Sequence, residues 1–135
     1  MKGHSILIAG AGPTGLTAAV ELARHGIVPR IIDRDNEPSQ LSKAVGISPR
    51  SLDILEPSGA TARLLSEGIK IQRNQVWYEG RPLGAIDLSL IPHRFNFLLS
   101  LPQSRTESIL VDVLALHGGT VEWGTELVGL CQTGE

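Results

Sequence analysis

Apolar and polar positions along the chain change period several times, and each change marks an element. Ile6, Leu7, Ile8 and Ala9 form a short apolar run without polar alternation, which predicts a strand buried on both faces of a parallel sheet. Leu16, Ala19, Val20 and Ala23 then recur at i, i+3, i+4 and i+7, the stripe of an amphipathic helix, with Gly26 as its stop. A second strand is expected over 30–32, followed by a polar loop over 34–44. Ser48 and Pro49 suit the cap and first turn of a helix carrying Leu52, Ile54 and Leu55, which Pro57 and Gly59 end. A short helix is expected over 61–67. The period then falls to two: Ile69 and Ile71, then Val76 and Tyr78, lead to a turn over 79–81, and 83–88 returns as the second arm of a hairpin. Residues 95–101 read as a strand broken by Pro102. Ser104 and Glu107 form a capping box ahead of a helix over 105–117. Residues 120–123 are expected as a third parallel strand beside 30–32. A further strand over 126–131 and a turn at Thr133-Gly134 complete the pattern. Alternating strand and helix around parallel pairs is an α/β plan, here a Rossmann-like parallel sheet with a hairpin insertion.

The segment joining the first strand to the first helix is GAGPTG. Gly10 permits a tight turn, Gly12 lets an anion approach the backbone, and Gly15 lets the helix settle onto the sheet. Pro13 fits a first helical turn, where its missing N–H costs nothing. The free N–H groups of that turn and the positive end of the helix dipole favour a bound pyrophosphate. Asp33 ends the second strand 23 residues after Gly10, where an acid can accept hydrogen bonds from an adenosine ribose. Strand, glycine turn, helix and strand-end acid together point to dinucleotide binding. The same glycines, followed by Glu21 and Arg24, argue against a secretory signal at the N-terminus.

Composition narrows the partners. The chain has 135 residues, enough for one ordinary core, and 12 basic against 14 acidic residues give a net charge of −2. Such a balance provides no field to draw nucleic acid or an anionic membrane surface. No apolar run reaches the ~20 residues of a membrane span. Cys131 is the single cysteine, which excludes an internal disulfide and suits a cytoplasmic, reducing compartment; a small buried apolar role is expected for it. His4, His25, His93 and His117 show neither pairing nor ligand spacing, so no metal is expected, and no catalytic group is identified. Trp77 and Tyr78 on the hairpin fit a substrate pocket or a small core equally.

The order of these motifs resembles the FAD-dependent aromatic hydroxylases, the flavoprotein monooxygenases of the para-hydroxybenzoate hydroxylase and phenol hydroxylase type. GAGPTGLTAAVELARHG with IIDR is similar to their ADP-binding fingerprint. LPQSRTESIL, through Gln103, Thr106, Glu107 and Leu110, is similar to a second motif, Q-x-x-T-E-x-x-L, that separates the hydroxylases from other flavoproteins. The resemblance implies FAD as cofactor, with Gly10, Gly12, Pro13, Thr14 and Gly15 at the pyrophosphate, Asp33 at the ribose, Arg34 near the adenine and Gln103 near the ribityl chain or pyrophosphate. Lys43, in SKAVGISPRSLDIL, stands where the family usually has an arginine that contacts FAD; it keeps the charge but not the planar fork. For Glu107, helix capping is the preferred role.

The resemblance further implies NADH or NADPH as a transient reductant, oxygen as co-substrate and a small phenolic substrate. It also implies that residues 1–135 are the N-terminal portion of a longer FAD-binding domain, because a later Gly-Asp motif and a substrate domain have no match here. The first strand would then be an open apolar edge, a route to self-association. A halogenase or isoprenoid-reductase type of flavoprotein, and a non-catalytic nucleotide-binding module, remain as alternatives.

Overall fold

The computed structural model describes residues 6–38 and 46–132. In chain order its elements are β1 (Leu7–Ala9), α1 (Pro13–Arg24), β2 (Arg30–Ile32), β3 (Gly46–Ile47), α2 (Pro49–Leu55), a 3-10 turn (Glu56–Ser58), α3 (Ala60–Glu67), β4 (Ile69–Ile71), β5 (Arg73–Tyr78), β6 (Arg81–Asp87), a second 3-10 turn (Leu88–Leu90), β7 (Leu98–Ser100), α4 (Gln103–Leu116) and β8 (Val121–Glu122). They fall into two compact units, one holding residues 6–38 and 104–132 and the other 46–103.

The first unit is built on a parallel three-stranded sheet in the order β1-β2-β8. Ile8 pairs with Ile31, and Ile31 with Val121, so the expected third strand lies beside 30–32. All four residues of the helical stripe, Leu16, Ala19, Val20 and Ala23, are buried, and α1 packs on β1 and β2. Gly26 adopts φ 82°, and its N–H donates to Ala23 O to close the helix. β1 is the sheet edge among the described residues, in keeping with the expected open edge, and with Leu7 and Ala9 exposed it is not the strand buried on both faces that its apolar run predicted. Across the exposed surface Arg30 donates from Nε and Nη2 to the two oxygens of Glu122, at 2.7 and 2.8 Å, which ties β2 to β8.

Further corrections concern the C-terminal half of this unit. α4 begins at Gln103, two residues before the expected start, so Ser104 lies inside the first turn and not ahead of it as an N-cap. Glu107 is buried on the same helix as Ile109, Leu110, Val113 and Leu114. Residues 126–132 form no strand: among the described residues none pairs with them, and Val128 and Leu130 are exposed. Cys131 is exposed, not buried. The expected turn at Thr133-Gly134 lies outside the described residues.

In the second unit the antiparallel sheet β3-β7-β4 stands with α2 and α3, and β5 and β6 form a separate two-stranded ribbon. Ser48 caps α2 as expected, its Oγ accepting from Ser51 N–H at 3.1 Å. Leu52 and Leu55 are buried while Ile54 is exposed. The alternation from Ile69 to Tyr78 proves to be two strands in different sheets: Ile71 faces Leu98, whereas Arg73 begins the ribbon opposite Asp87. The turn is the pair Glu79-Gly80, both with positive φ, the geometry of tight hairpins. The returning arm starts at Arg81, and Leu88 already belongs to the following 3-10 turn. The strand expected over 95–101 shrinks to β7, because Phe95 and Phe97 bury their rings against each other, centroids 6.1 Å apart, outside the ladder. Trp77 and Tyr78 are exposed, which removes the core role considered for them.

Candidate functional site

The turn from β1 into α1 is shaped by backbone geometry that its glycines make available. Gly10 sits at φ 107°, a region L side chains rarely adopt, and its N–H donates to Ile32 O at 2.8 Å, joining the turn to the end of β2. A methyl group placed on Gly15 would lie 1.9 Å from the Gly10 carbonyl oxygen, so the helix rests directly on the strand end. Gly12 differs: it has φ −74° and nothing within 4 Å of where a Cβ would stand. Gly15 is therefore required by the protein's own packing, while the space at Gly12 is open.

Gly12 is the N-cap of α1, and no side chain caps the helix. Pro13 occupies the first turn as expected, no acidic residue lies there, and the N–H groups of Thr14 and Gly15 have no intrahelical acceptor. These groups, with the helix dipole, give the turn the character of an anion cradle. With no side-chain cap and no acidic residue in the first turn, these donors are open to an anionic group.

Asp33 lies at the end of β2 beside the turn. Its Oδ2 accepts from Ala11 N–H at 2.6 Å, and its Oδ1 accepts from Asp35 N–H at 2.9 Å. The acid whose spacing suggests a ribose contact is thus bonded to the glycine turn itself, a contact between positions 22 apart that no sequence signal announces. Arg34 follows, exposed. Gln103 is half-buried at the start of α4. Lys43 lies outside the described residues.

A polar cluster in the second unit was also missed. His93 Nε2 meets Asp53 Oδ2 at 2.6 Å, and Arg94 bridges Asp53 and Glu56. Phe95 N–H donates to His93 Nδ1 at 3.0 Å, which leaves Nε2 as the proton donor to Asp53. The Arg94 guanidinium, bonded to Asp53, holds that carboxyl below the usual range, and His93 adds to the effect against the opposing influence of desolvation. The cluster pins the chain ahead of β7 to α2. Neither His93 nor Asp53 has a sequence neighbour that betrays the pair, 40 positions apart.

Among the described residues no helix is long and apolar enough to cross a membrane. The sequence profile of the FAD binding domain family matches residues 4–135. The chain is 38% identical over 135 residues to 6-methylpretetramide 4-monooxygenase of Streptomyces rimosus, a match covering 98% of this chain and 24% of that protein. It is also 38% identical over 130 residues to pentachlorophenol 4-monooxygenase of Sphingobium chlorophenolicum, covering 95% and 24%. Among solved structures, anhydrotetracycline hydroxylase from Streptomyces rimosus superposes with a TM-score of 0.73 at 34% identity, over 89% of this chain and 24% of that one. The p-nitrophenol 4-monooxygenase of Pseudomonas putida shares the fold, with a TM-score of 0.89 at 17% identity over 96% of this chain and 34% of that one. The chain spans about a quarter of the length of the two sequence relatives. The two sequence relatives are monooxygenases, and with the profile matched over nearly all of its length the chain belongs to the FAD binding domain family.

Proposed function

We propose that this chain supplies the ADP-binding part of the FAD site in a monooxygenase that hydroxylates a small aromatic substrate, with NADH or NADPH as reductant, in the cytoplasm. The observation that carries the reading is the contrast between Gly15, which a methyl group would drive into the Gly10 carbonyl, and Gly12, whose surroundings are open. A turn closed against the protein and open toward solvent, at an uncapped helix start, is built to take a pyrophosphate. The parallel order β1-β2-β8 with α1 between its first two strands supports a Rossmann-like, glutathione-reductase-type arrangement.

In this reading Gly10, Gly12, Pro13, Thr14 and Gly15 surround the pyrophosphate, and Asp33 faces the ribose. Arg34 lies toward the adenine, while Lys43 and Gln103 serve the rest of the cofactor. FAD, when bound, supplies the redox and oxygen chemistry; the chain's own part is to bind and orient it. Calorimetric titration with ADP and with FAD tests the proposal. Each nucleotide is expected to bind and to exclude the other. A folded chain that binds neither would refute it.

A further inference from the structure

We infer that Asp33 positions the phosphate turn, in addition to any contact with a ribose. This rests on the nucleotide reading above and concerns the same site. The carboxylate holds the Ala11 N–H, which belongs to a buried residue between Gly10 and Gly12, and the Asp35 N–H, one on each oxygen. The backbone of the same residue ties in a third segment: Asp33 N–H donates to Glu122 O at 3.0 Å, and Asp33 O accepts from Thr125 N–H at 2.8 Å. Gly124 N–H donates to Asp35 O at 2.8 Å. Thus one residue joins the turns that follow β1, β2 and β8. A carboxylate can accept about four hydrogen bonds, so two directions remain for a ribose diol.

The positioning role separates from a ribose contact because the two predict different responses. Asp33→Asn has the same shape but one acceptor oxygen and one NH2 group. Whichever way the amide turns, its NH2 opposes either the Ala11 or the Asp35 N–H. Charge alone predicts the reverse outcome, since removing a negative group near a pyrophosphate should strengthen its binding.

The measurements use the whole chain. In wild type, a long-range HNCO experiment should show coupling across the hydrogen bond between the Ala11 amide nitrogen and the Asp33 carboxyl carbon. Titration with 2′,3′-dideoxy-ADP, which lacks the ribose hydroxyls, should show on the order of tenfold weaker binding to Asp33→Asn than to wild type. ADP should weaken at least as much. Absence of the coupling would overturn the inference. So would unchanged or tighter dideoxy-ADP binding with only ADP weakened, which would confine Asp33 to the ribose. A wild-type chain that shows the coupling yet binds neither nucleotide would refute the nucleotide reading and, with it, any role toward a ligand.

Discussion

Gly12 and Gly15 belong to one motif, yet the structure gives their substitution opposite consequences. In Gly15→Ala the new methyl group meets the Gly10 carbonyl oxygen at 1.9 Å, the Gly10 carbonyl carbon at 3.1 Å and Ile8 Cγ2 at 3.3 Å. Two of these atoms are backbone, and relief requires α1 and the strand end to separate by roughly 1 Å in a close-packed region. Overpacking of this kind costs about 3 kcal/mol, the upper end of its usual range. Replacing glycine in a helix recovers up to ~1 kcal/mol, which leaves a net loss of about 2 kcal/mol. With a slope of roughly 1.5 to 2 kcal/mol per molar urea, the unfolding midpoint should fall by about 1 M. In Gly12→Val the side chain enters open space at an ordinary φ, so stability should change by less than ~1 kcal/mol, the scale of an N-cap exchange. Nucleotide binding should nevertheless be lost, because that space is where a pyrophosphate would lie. Urea denaturation followed by circular dichroism, paired with ADP titration, reads both effects. A Gly15→Ala chain as stable as wild type, or a Gly12→Val chain that retains wild-type ADP affinity, would refute the division of labour between the two glycines.

Other substitutions probe single contacts. Ser48→Ala removes the acceptor for Ser51 N–H and should cost about 1 kcal/mol in the same urea assay. Thr61→Val deletes a buried hydrogen bond from Thr61 Oγ1 to Leu52 O at 2.6 Å and should cost on the order of 1 kcal/mol, with little change in volume. Asp53 has a folded pKa below its unfolded value, so its contribution to stability is complete above the ordinary carboxylate range and is lost as pH falls through the depressed value. In Arg94→Gln the Asp53 carboxyl carbon, followed by NMR, should titrate at higher pH than in wild type. If β1 is an open pairing edge, light scattering should detect self-association that Leu7→Lys reduces.

Much of the architecture was legible because its cause is local. Leu16, Ala19, Val20 and Ala23 mark one helical face whatever surrounds them, and Ser48-Pro49 caps α2 with atoms only three residues apart. The tight approach at Gly15 was foreseeable for the same reason, since the motif compresses strand, turn and helix into six residues. What escaped depends on partners distant in sequence. Nothing near Asp33 announces Ala11, and nothing near His93 announces Asp53. The strand expected over 126–131 had apolar residues but no partner among the described residues, and Cys131 is exposed with it. The start of α4 was misplaced because S-x-x-E marks a cap when it precedes a helix and an ordinary first turn when it lies within one.

The ribbon of β5 and β6 has no buried residue along either strand. A lone two-stranded hairpin is marginal in water, so its backbone bonds are held by little beyond the Glu79-Gly80 turn and the ladder itself. Its opening would then cost far less than unfolding the core that contains Leu52, Leu64 and Leu99. The ribbon is thereby an energetically separate module of this chain. Its amides should exchange with solvent through openings that leave that core folded, and changes on its exposed strand positions away from the turn should cost the rest of the fold little.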